Sequence, residues 1–319
     1  MSNILAGQSQ LTDKEKKKLR FKAYFQKSWQ YYLMLLPVVV YYAIFHFGAY
    51  PGLVMAFQDY KPARGLFGSP FVGFKHFQTM FATSSFYNIL RNTIVLNLMN
   101  LAMFFPAPII LAILLNEVRH NGFKRASQSL MYLPHFFSWV VLGGMIIEIL
   151  SPSKGIVNAV ISSLTGGETI HFMAHKGWWR VSFVMSSIWK DVGWGSIIYL
   201  AAIAGIDSEL YEAATIDGAN HFQQMWHITL PGMSNTIIIM LILRMGGILN
   251  VGMEQIMMLQ NAAVNDIADV IQTYTYRMGV QQGRYSVTTA IGIFQSVVGM
   301  VLILSANQLA KKLTDRSII

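Results

Sequence analysis

The stretch between the fourth and fifth long apolar segments reads DSELYEAATIDGANHFQQMWHITLP and covers residues 207–231. It contains four carboxylates, at Asp207, Glu209, Glu212 and Asp217, and neither lysine nor arginine. The chain as a whole is cationic, with 24 lysine and arginine residues against 15 aspartate and glutamate residues. An acidic, polar segment of this length is therefore a distinct structural unit, and its apolar surroundings decide what kind of unit it is.

The composition indicates a membrane protein. Of the 319 residues, 54% are hydrophobic and 12% are charged, and the mean hydropathy is +0.43. A soluble globular chain carries about 25% charged residues. The net charge of +9 would also suit a nucleic-acid-binding protein, but cations in so apolar a chain are more typical of segments retained on the cytoplasmic face of a membrane. Cysteine is absent, which excludes disulfides and a thiolate nucleophile.

Six apolar stretches are long enough to cross a bilayer, which takes about 20 residues of helix. They lie near residues 31–56, 93–115, 129–150, 181–204, 233–259 and 286–309. We therefore predict an all-α, polytopic membrane protein with six transmembrane helices. The predicted organisation is a basic cytoplasmic N-terminal tail over 1–28, a transmembrane domain over 29–310 and a cytoplasmic C-terminal tail over 311–319.

The distribution of cations predicts the orientation. Residues 1–28 carry seven lysine and arginine residues and no small-residue cleavage site, which favours a retained anchor over a signal peptide. With the N-terminus inside, the inner segments hold more cations than the longer outer ones, so the positive-inside rule places both termini in the cytoplasm. Binding of acidic lipid or RNA is the alternative use of the basic run.

Local sequence rules divide residues 207–231 into two short helices. Asp207 can cap the first helix, and Gly218 suits the left-handed position just beyond a helix end. A second helix is predicted from about Ala219 to His227. Pro231 is expected to begin the next span, because a missing N–H costs little in the first turn of a helix.

The faces of these two helices favour docking onto a protein. Helical spacing places four residues on one face of the first: Leu210, Ala213, Ala214 and Asp217. The second presents Phe222, Met225 and Trp226. The alternative is an amphipathic hairpin lying on lipid, but anionic headgroups would repel the four carboxylates of the loop.

The loop resembles the EAA signature of the membrane subunits of bacterial ATP-binding-cassette (ABC) importers. The matching string runs from Glu212-Ala-Ala through Gly218 to Ile-Thr-Leu-Pro231. Its fuller form, with Glu-Ala-Ala-x-Ile-Asp-Gly-Ala-Asn followed by His-Ile-Thr-Leu-Pro, is similar to the carbohydrate-uptake branch. Met225 departs from that pattern, which usually has phenylalanine there, but methionine fills an apolar socket adequately.

The resemblance extends over most of the chain to the LplB-type permeases, which move oligosaccharides derived from complex polysaccharides. The strings that carry it are AFQDYKP (56–62), YLPHF (132–136), WKDVGWGS (189–196) and YTYR (274–277). It implies a type I ABC importer permease fold in the bacterial inner membrane. The implied partners are a second, homologous permease in a heterodimer, two copies of a cytoplasmic ATPase subunit and an extracytoplasmic solute-binding protein.

In this family the EAA loop forms a pair of coupling helices that sit in a cleft of the ATPase subunit. Carried over position by position, the implied coupling residues are Glu212, Ala213, Ala214, Asp217, Gly218, Ile228, Leu230 and Pro231. Asp217 would help the turn, and the last three would anchor the loop to the fifth span. The chain has no Walker A string, which agrees with a transport subunit that is not itself an enzyme. The resemblance implies that this chain binds no cofactor and that the partner ATPase holds the ATP and Mg²⁺.

Polar and aromatic residues within the spans are the candidates for the substrate path, because polar groups are costly in lipid. These candidates are Trp189, Lys190, Trp194, Arg244, Asn250 and Glu254. Together they supply the hydrogen-bonding groups and aromatic faces that recognise sugars. The alternative role is interhelical structure: Lys190 and Asp191 point apart on a helix, so each is expected to pair with another span. Asn97, Asn100 and Gln255 are expected mainly to bond neighbouring helices.

These features predict the permease subunit of an ATP-driven, binding-protein-dependent importer of an oligosaccharide. Lys190 and Arg244 at membrane depth would allow that oligosaccharide to be acidic. An ABC importer of another solute is the first alternative. A membrane-embedded sugar transferase would need a metal-compatible acidic or histidine cluster in one interfacial loop, and a secondary transporter would show inverted repeats; neither is visible. No metal site and no nucleic-acid partner are predicted.

Overall fold

The computed structural model describes residues 13–314, with side chains described for residues 24–312. Over that range the secondary structure is helical, and the one pairing of extended backbone is an antiparallel bridge between Gln58 and Phe71. The all-α prediction is confirmed. Residues 1–12 and 315–319, which belong to the two predicted tails, lie outside the described residues.

The N-terminal half of the described chain contains eight α-helices. They are α1 (Asp13–Tyr41), α2 (Gly65–Gly68), α3 (Lys75–Ala82), α4 (Ser84–Met99), α5 (Pro106–Glu117), α6 (Asn121–Tyr132), α7 (Trp139–Ile149) and α8 (Ile156–Thr165). α1 continues through a π-helical turn, Tyr42–His46, into a 3-10 helix, Phe47–Phe57. α4 continues through π-helical Asn100–Phe104 into α5, and α6 is followed by the 3-10 turn Leu133–Phe136.

The C-terminal half contains nine. They are α9 (Lys176–Ala204), α10 (Ser208–Ile216), α11 (His221–Gln224), α12 (Leu230–Gly232), α13 (Ser234–Gly246), α14 (Met253–Leu259), α15 (Asn265–Ala268), α16 (Ile271–Tyr276) and α17 (Tyr285–Thr314). The π-helical stretch Met225–Thr229 joins α11 to α12, and another, Arg277–Gln281, extends α16.

Three of the predicted spans are continuous helices. By length and apolarity, Tyr24–Phe57, Ser84–Glu117 and Tyr285–Lys312 can each cross a membrane. They contain the predicted stretches 31–56, 93–115 and 286–309. Counting each of two bent helix pairs as one span raises the number in the described part of the chain to five. The predicted total of six stays a prediction.

Two of the other predicted spans are not straight helices. The third, 129–150, bends by 105° between Asn121–Phe136 and Trp139–Ile149. The fifth, 233–259, is interrupted over residues 247–252, between the end of α13 and the start of α14. The apolarity of a segment indicates that it lies in the membrane, but it does not indicate where the helix is interrupted. An interruption leaves backbone N–H and C=O groups that need polar partners, and other helices supply those partners.

The central helix of the bundle is α9, which packs against α5, α6, α13 and α14. It contains the predicted fourth span and, at 1.5 Å per residue, is about 43 Å long. Lys190 and Asp191 interrupt its apolar surface near the middle, and it is not among the helices identified as spans by length and apolarity. Its buried face is rich in small residues, which let neighbouring backbones approach closely: Ser182, Ser186, Ser187, Gly193 and Ser196.

Apolar packing holds the bundle together in three clusters. The largest joins α7, α9 and α14, and at its centre the buried Trp179 donates from Nε1 to the carbonyl of Leu259 at 2.8 Å. The long helix Tyr24–Phe57 is packed differently, because none of its most apolar stretch of 18 residues is buried. It contacts the bundle mainly where Phe47–Phe57 packs on α17, beside the hydrogen bond from Ser286 Oγ to the carbonyl of Gln58 at 2.6 Å.

Candidate functional site

The loop 207–231 begins with the capped helix and glycine turn that its sequence predicts. Asp207 Oδ1 accepts a hydrogen bond from the amide of Glu209 at 3.0 Å, which caps α10. After α10, Gly218 has a φ of +80°, in the left-handed region. The amide of Ala219 then donates to the carbonyl of Ala214 at 2.9 Å and closes the helix end.

The second helix of the loop begins at a capping box that was not predicted. Asn220 Oδ1 accepts from the amide of Gln223 at 2.9 Å, and Gln223 Oε1 accepts from the amide of Asn220 at 2.8 Å. Asparagine followed three residues later by glutamine is a signal that could have placed this helix start. The α-helix ends at Gln224, earlier than predicted, and the chain continues as a π-helix to Thr229.

Side-chain bonds join the two short helices to each other and to the bundle. Gln224 Nε2 donates to Thr215 Oγ1 at 2.9 Å, which ties α11 to α10. The Tyr211 hydroxyl lies 2.9 Å from Thr229 Oγ1, and Leu230 packs against the buried cluster formed by α5 and α9. Helices this short are marginal in isolation, so these contacts define the shape of the loop.

The predicted coupling residues lie on an open surface. Exposed members are Glu212, Ala213, Asp217, Gly218 and Pro231, and partly buried members are Ala214, Ile228 and Leu230. Beside them Ile216 is 87% exposed, Phe222 66% and Trp226 58%. The rings of Phe222 and Trp226 are stacked, with their centres 6.5 Å apart. Exposed apolar groups beside carboxylates, on a loop whose two helices are hydrogen-bonded to each other, are suited to docking onto a protein.

The loop also contacts the end of α5 through His221. Arg119 Nη2 lies 2.8 Å from His221 Nε2, and Glu117 Oε2 lies 3.7 Å from His221 Nδ1. The segment that contains Glu117 and Arg119 leads directly into α6. The loop therefore contacts the chain immediately before the start of α6.

A polar cavity of about 170 Å³ lies beside α9, at the interruption between α13 and α14. Its polar lining consists of Asn97, Asn100, Ser187, Asp191, Arg244, Asn250 and Gln255, and its aromatic lining of Phe104 and Trp139. Hydrogen-bonding groups with two aromatic rings form a surface suited to a sugar. Interrupted helices that line a polar cavity are also a recurrent way of building substrate sites in transporters.

Two groups in this cavity form no hydrogen bond or ion pair through their side-chain polar atoms among the described residues, although the charge of Asp191 acts on one of them, Arg244. Arg244 forms no ion pair there, and its guanidinium lies 5.7 Å from the centre of the Phe104 ring. Asn100 is 5% exposed and its Oδ1 accepts no hydrogen bond. Gln255, by contrast, is fully engaged, with Nε2 donating to the carbonyl of Phe183 at 2.7 Å and Oε1 accepting from Ser187 Oγ at 3.0 Å. Among the described residues, the cavity therefore offers a cation without a bonded counterion and an acceptor without a donor.

The structure brings two of the predicted substrate-path residues, Arg244 and Asn250, into this cavity. Trp189 instead lines a separate apolar cavity of about 300 Å³ beside α7. Glu254 is exposed in the first turn of α14. Lys190 and Trp194 face the bend between α6 and α7, where Lys190 donates to two backbone carbonyls and the Trp194 ring stacks on His135. The expectation that Lys190 and Asp191 each pair with another span is confirmed, because both bond to His135 in the predicted third span, 129–150.

The aromatic lining of the cavity was not anticipated. Phe104 and Trp139 lie at helix ends created by a π-turn and by a sharp bend, and neither break is visible in the apolar pattern. Asn97 and Asn100 were expected to bond neighbouring helices. Their spacing of three residues, which places both on one helix face, was an available signal for a shared site.

Two ion pairs involve the segment that follows α14, at the opposite end of α9 from the loop. Lys176 Nζ donates to Asp266 Oδ2 at 2.6 Å, and this bond lowers the pKa of the Asp266 carboxyl. Arg277 donates to both oxygens of Asp269, at 2.6 and 3.3 Å, which raises the pKa of Arg277. The first pair joins this segment to the start of α9, and the second lies within the segment.

Comparison with known proteins gives consistent matches along the chain. Residues 79–315 match the family described as the binding-protein-dependent transport system inner membrane component. The polygalacturonan/rhamnogalacturonan transport system permease protein YteP of Bacillus subtilis (strain 168) is 44% identical over 304 residues, which are 95% of this chain and 94% of YteP. Protein LplB of the same organism is 47% identical over 281 residues, 88% of each chain.

Solved structures share the fold. A bacterial ABC transporter involved in the import of the acidic polysaccharide alginate matches with a TM-score of 0.83 at 40% identity, over 92% of this chain and 99% of that one. A bacterial alginate ABC transporter in complex with an alginate pentasaccharide-bound periplasmic protein matches with a TM-score of 0.84, also at 40% identity, over 94% of this chain and all of that one. The chain therefore belongs to the binding-protein-dependent transport system inner membrane component family, and it is a membrane-embedded permease subunit of an ABC importer rather than an enzyme.

Proposed function

We propose that this permease imports an anionic oligosaccharide delivered by an extracytoplasmic binding protein. The observation that carries the proposal is Arg244, a cation without an ion pair among the described residues, at the wall of a polar cavity. Asp191 lines the same cavity and its charge acts on Arg244, but the two groups form no ion pair and Asp191 Oδ1 is bonded to His135. A guanidinium binds a carboxylate through two parallel hydrogen bonds, and a charge at membrane depth is costly unless it is used.

The named substrates of the relatives support an acidic sugar. YteP is named for polygalacturonan and rhamnogalacturonan, and the two solved structures are of alginate transporters. Polygalacturonan is a polymer of a sugar acid, and alginate is described as acidic. The shared property is the presence of sugar units that carry a carboxylate, which is the group that Arg244 is suited to bind.

The size of the cavity supports a partner permease. At about 170 Å³ it is smaller than the ~300–1,000 Å³ of typical ligand pockets, so an oligosaccharide needs additional walls. A second, homologous permease facing this cavity would supply them, in a heterodimer. The proposed topology has six spans, with α9 as the fourth, and both termini in the cytoplasm of the bacterium.

The coupling residues Glu212, Ala213, Ala214, Asp217, Gly218, Ile228, Leu230 and Pro231 would join this permease to a cytoplasmic ATPase. In the proposed assembly two copies of that ATPase hold the ATP and Mg²⁺. The exposed Ile216, Phe222 and Trp226 supply the apolar part of the docking surface. Closure of the ATPase pair on ATP would move the docked loop and change the side of the membrane to which the cavity opens.

The test is uptake by the complete transporter in proteoliposomes, at a saturating concentration of its binding protein. We expect ATP-dependent uptake of oligogalacturonate, and at least about tenfold weaker uptake of the same oligosaccharide after reduction of its carboxyl groups. Binding of both compounds to the isolated binding protein is measured alongside, so that a loss at that earlier step is not assigned to the permease. Equal uptake of the two compounds from equally loaded binding protein would contradict the proposal.

A further inference from the structure

Two of the sequence strings that the proposed function leaves unused meet in the structure. YLPHF, residues 132–136, lies at the 105° bend between α6 and α7. WKDVGWGS, residues 189–196, lies near the middle of α9 and packs against that bend. The contact is close, because a Cβ added at Gly193 would overlap the backbone carbonyl of Met131.

Lys190 satisfies the backbone groups that the bend leaves open. A helix that ends leaves carbonyls without intrahelical partners, and such groups are costly where no water is available. Lys190 Nζ donates to the carbonyl of His135 at 2.8 Å and to that of Phe137 at 2.8 Å. An ammonium group at the C-terminal end of a helix is also favoured by the helix dipole. The charge of Lys190 is therefore used within the chain.

His135 is held on two sides by residues of α9. Asp191 Oδ1 lies 2.8 Å from His135 Nδ1, and both side chains are about one-third exposed. The Trp194 ring stacks on the imidazole with centres 4.4 Å apart and planes 3° apart. The bend is thus fixed to α9 by a charge-assisted bond at Lys190, a polar bond at Asp191 and a ring contact at Trp194.

The same contacts lie between the polar cavity and the loop 207–231. Asp191 and Trp139, the first residue after the bend in α7, both line the cavity. At its other end α6 follows the segment in which Glu117 and Arg119 contact His221 of the loop. α6 and the bend therefore form a continuous connection from the loop to the wall of the cavity.

We propose that Lys190, Asp191 and His135 form a clamp on the bend that transmits displacement of the loop 207–231 to the polar cavity. In this role Lys190 is a positioning residue and does not bind the sugar. Without the clamp, α6 can move while the cavity wall stays in place, so that ATP is hydrolysed with less transport. The inference rests on the proposed coupling function of the loop, and it adds the route by which coupling reaches the cavity.

The test measures oligosaccharide uptake per ATP hydrolysed by the complete transporter in proteoliposomes, together with the KM for loaded binding protein. For Lys190→Met we expect uptake per ATP to fall about tenfold with KM within about twofold of the unaltered value, as loss of a charge-assisted bond would produce. Lys190→Arg keeps a donor that can reach two carbonyls and should restore most of the ratio. Lys176→Met, at the exposed start of the same helix, is the matched control and should leave the ratio unchanged.

Three results would overturn the clamp. The first is an unchanged uptake per ATP in Lys190→Met. The second is a raised KM in that variant with an unchanged uptake per ATP, which would make Lys190 a substrate ligand. The third is an uptake per ATP in Lys190→Arg as low as in Lys190→Met. If Lys190→Met does not assemble with the ATPase, the same two quantities are measured on His135→Leu, which removes the bond to Asp191 and keeps an apolar side chain beside Trp194. Absence of uptake by the unaltered transporter would instead count against the proposed function.

Discussion

The loop 207–231 and the polar cavity are built from contacts of different range. The bonds within the loop join residues no more than 18 positions apart, as between Tyr211 and Thr229. The cavity and its walls depend on bonds between distant helices, such as Lys190 to His135, 55 positions apart, and Gln255 to Phe183, 72 apart. The difference separates two kinds of defect. Changes in the loop should impair coupling, whereas changes in the cavity should impair recognition of the sugar.

The largest effect is expected at the turn of the loop. Gly218 has a φ of +80°, and a Cβ there would meet no atom within 4 Å, so the cost of a side chain is backbone strain rather than a clash. The left-handed conformation costs a residue with a side chain such as leucine about 1–2 kcal/mol of conformational free energy. The exposed turn can relieve this strain by changing its shape. We expect Gly218→Leu to be inserted normally and to lose uptake nearly completely, as measured by transport in proteoliposomes.

A matched control exists for this substitution. Gly218→Asn adds a side chain that tolerates the left-handed region, so uptake should stay within a few-fold of the unaltered level. Full uptake and full stimulation of ATP hydrolysis in Gly218→Leu would refute the coupling role of the turn.

The cavity is tested at Arg244, with a smaller expected effect. Arg244→Ala removes the cation that lines the cavity, and we expect the uptake of an anionic oligosaccharide to fall at least about tenfold while association with the ATPase subunit is retained. Arg244→Lys keeps the charge but not the two-pronged geometry and should lie in between. Unchanged uptake kinetics in Arg244→Ala would leave Arg244 a structural residue and would remove the main support for an acidic substrate.

An intermediate perturbation of the loop is available at its second helix. Asn220→Ala removes the capping box with Gln223, a change that costs about 1 kcal/mol in helix stability. We expect faster hydrogen exchange of the Gln223 amide and an approximately threefold lower uptake per ATP, with an unchanged KM for loaded binding protein. Asn220→Ser retains a cap and is the control. A raised KM with normal coupling would contradict the division of roles between loop and cavity.

The smallest effect is expected at the exposed ion pair between Lys176 and Asp266. The pKa of Asp266 is lower than its ordinary value of 3.8 because Lys176 donates to the carboxylate. The pair therefore stabilises the folded state at pH values above the ordinary pKa of 3.8. This contribution is lost as the pH falls through the lowered pKa of Asp266. Asp266→Asn should lower the Tm of the detergent-solubilised transporter by about 1 °C or less at pH 7, with the difference vanishing in acid. A difference that grew in acid would contradict this assignment.

The sequence predicted the position of membrane segments better than their shape. The stretches 31–56, 93–115 and 286–309 are continuous helices because a long apolar segment in lipid must satisfy its own backbone. The stretches 129–150 and 233–259 are broken, and side chains from elsewhere satisfy each break. At the first break, Lys190 donates to the carbonyl of His135. At the second, Gln272 and Gln295 donate to the carbonyl of Leu249 at 2.6 and 2.9 Å.

The candidate sites divide in the same way. The cap at Asp207 and the turn at Gly218 follow from residues within one or two helical turns, and both are present as predicted. Of the predicted substrate-path residues, only Arg244 and Asn250 line the cavity. Phe104 and Trp139 could not be anticipated, because they enter the cavity through a π-turn and a bend that depend on contacts with other helices.

The sequence by itself determined that this protein is a helical membrane permease with an exposed helical loop of the EAA type. That information is local or compositional: apolar length, capping residues, a glycine at a left-handed position and the fixed spacing of the signature. Only the tertiary structure decided which of the charges near the middle of the bundle are bonded within the chain. Lys190 and Asp191 are bonded to the bend, and Arg244 faces the cavity without an ion pair among the described residues. The reason is physical, since the cost of a charge in a membrane depends on its partners, and those partners lie on distant parts of the chain.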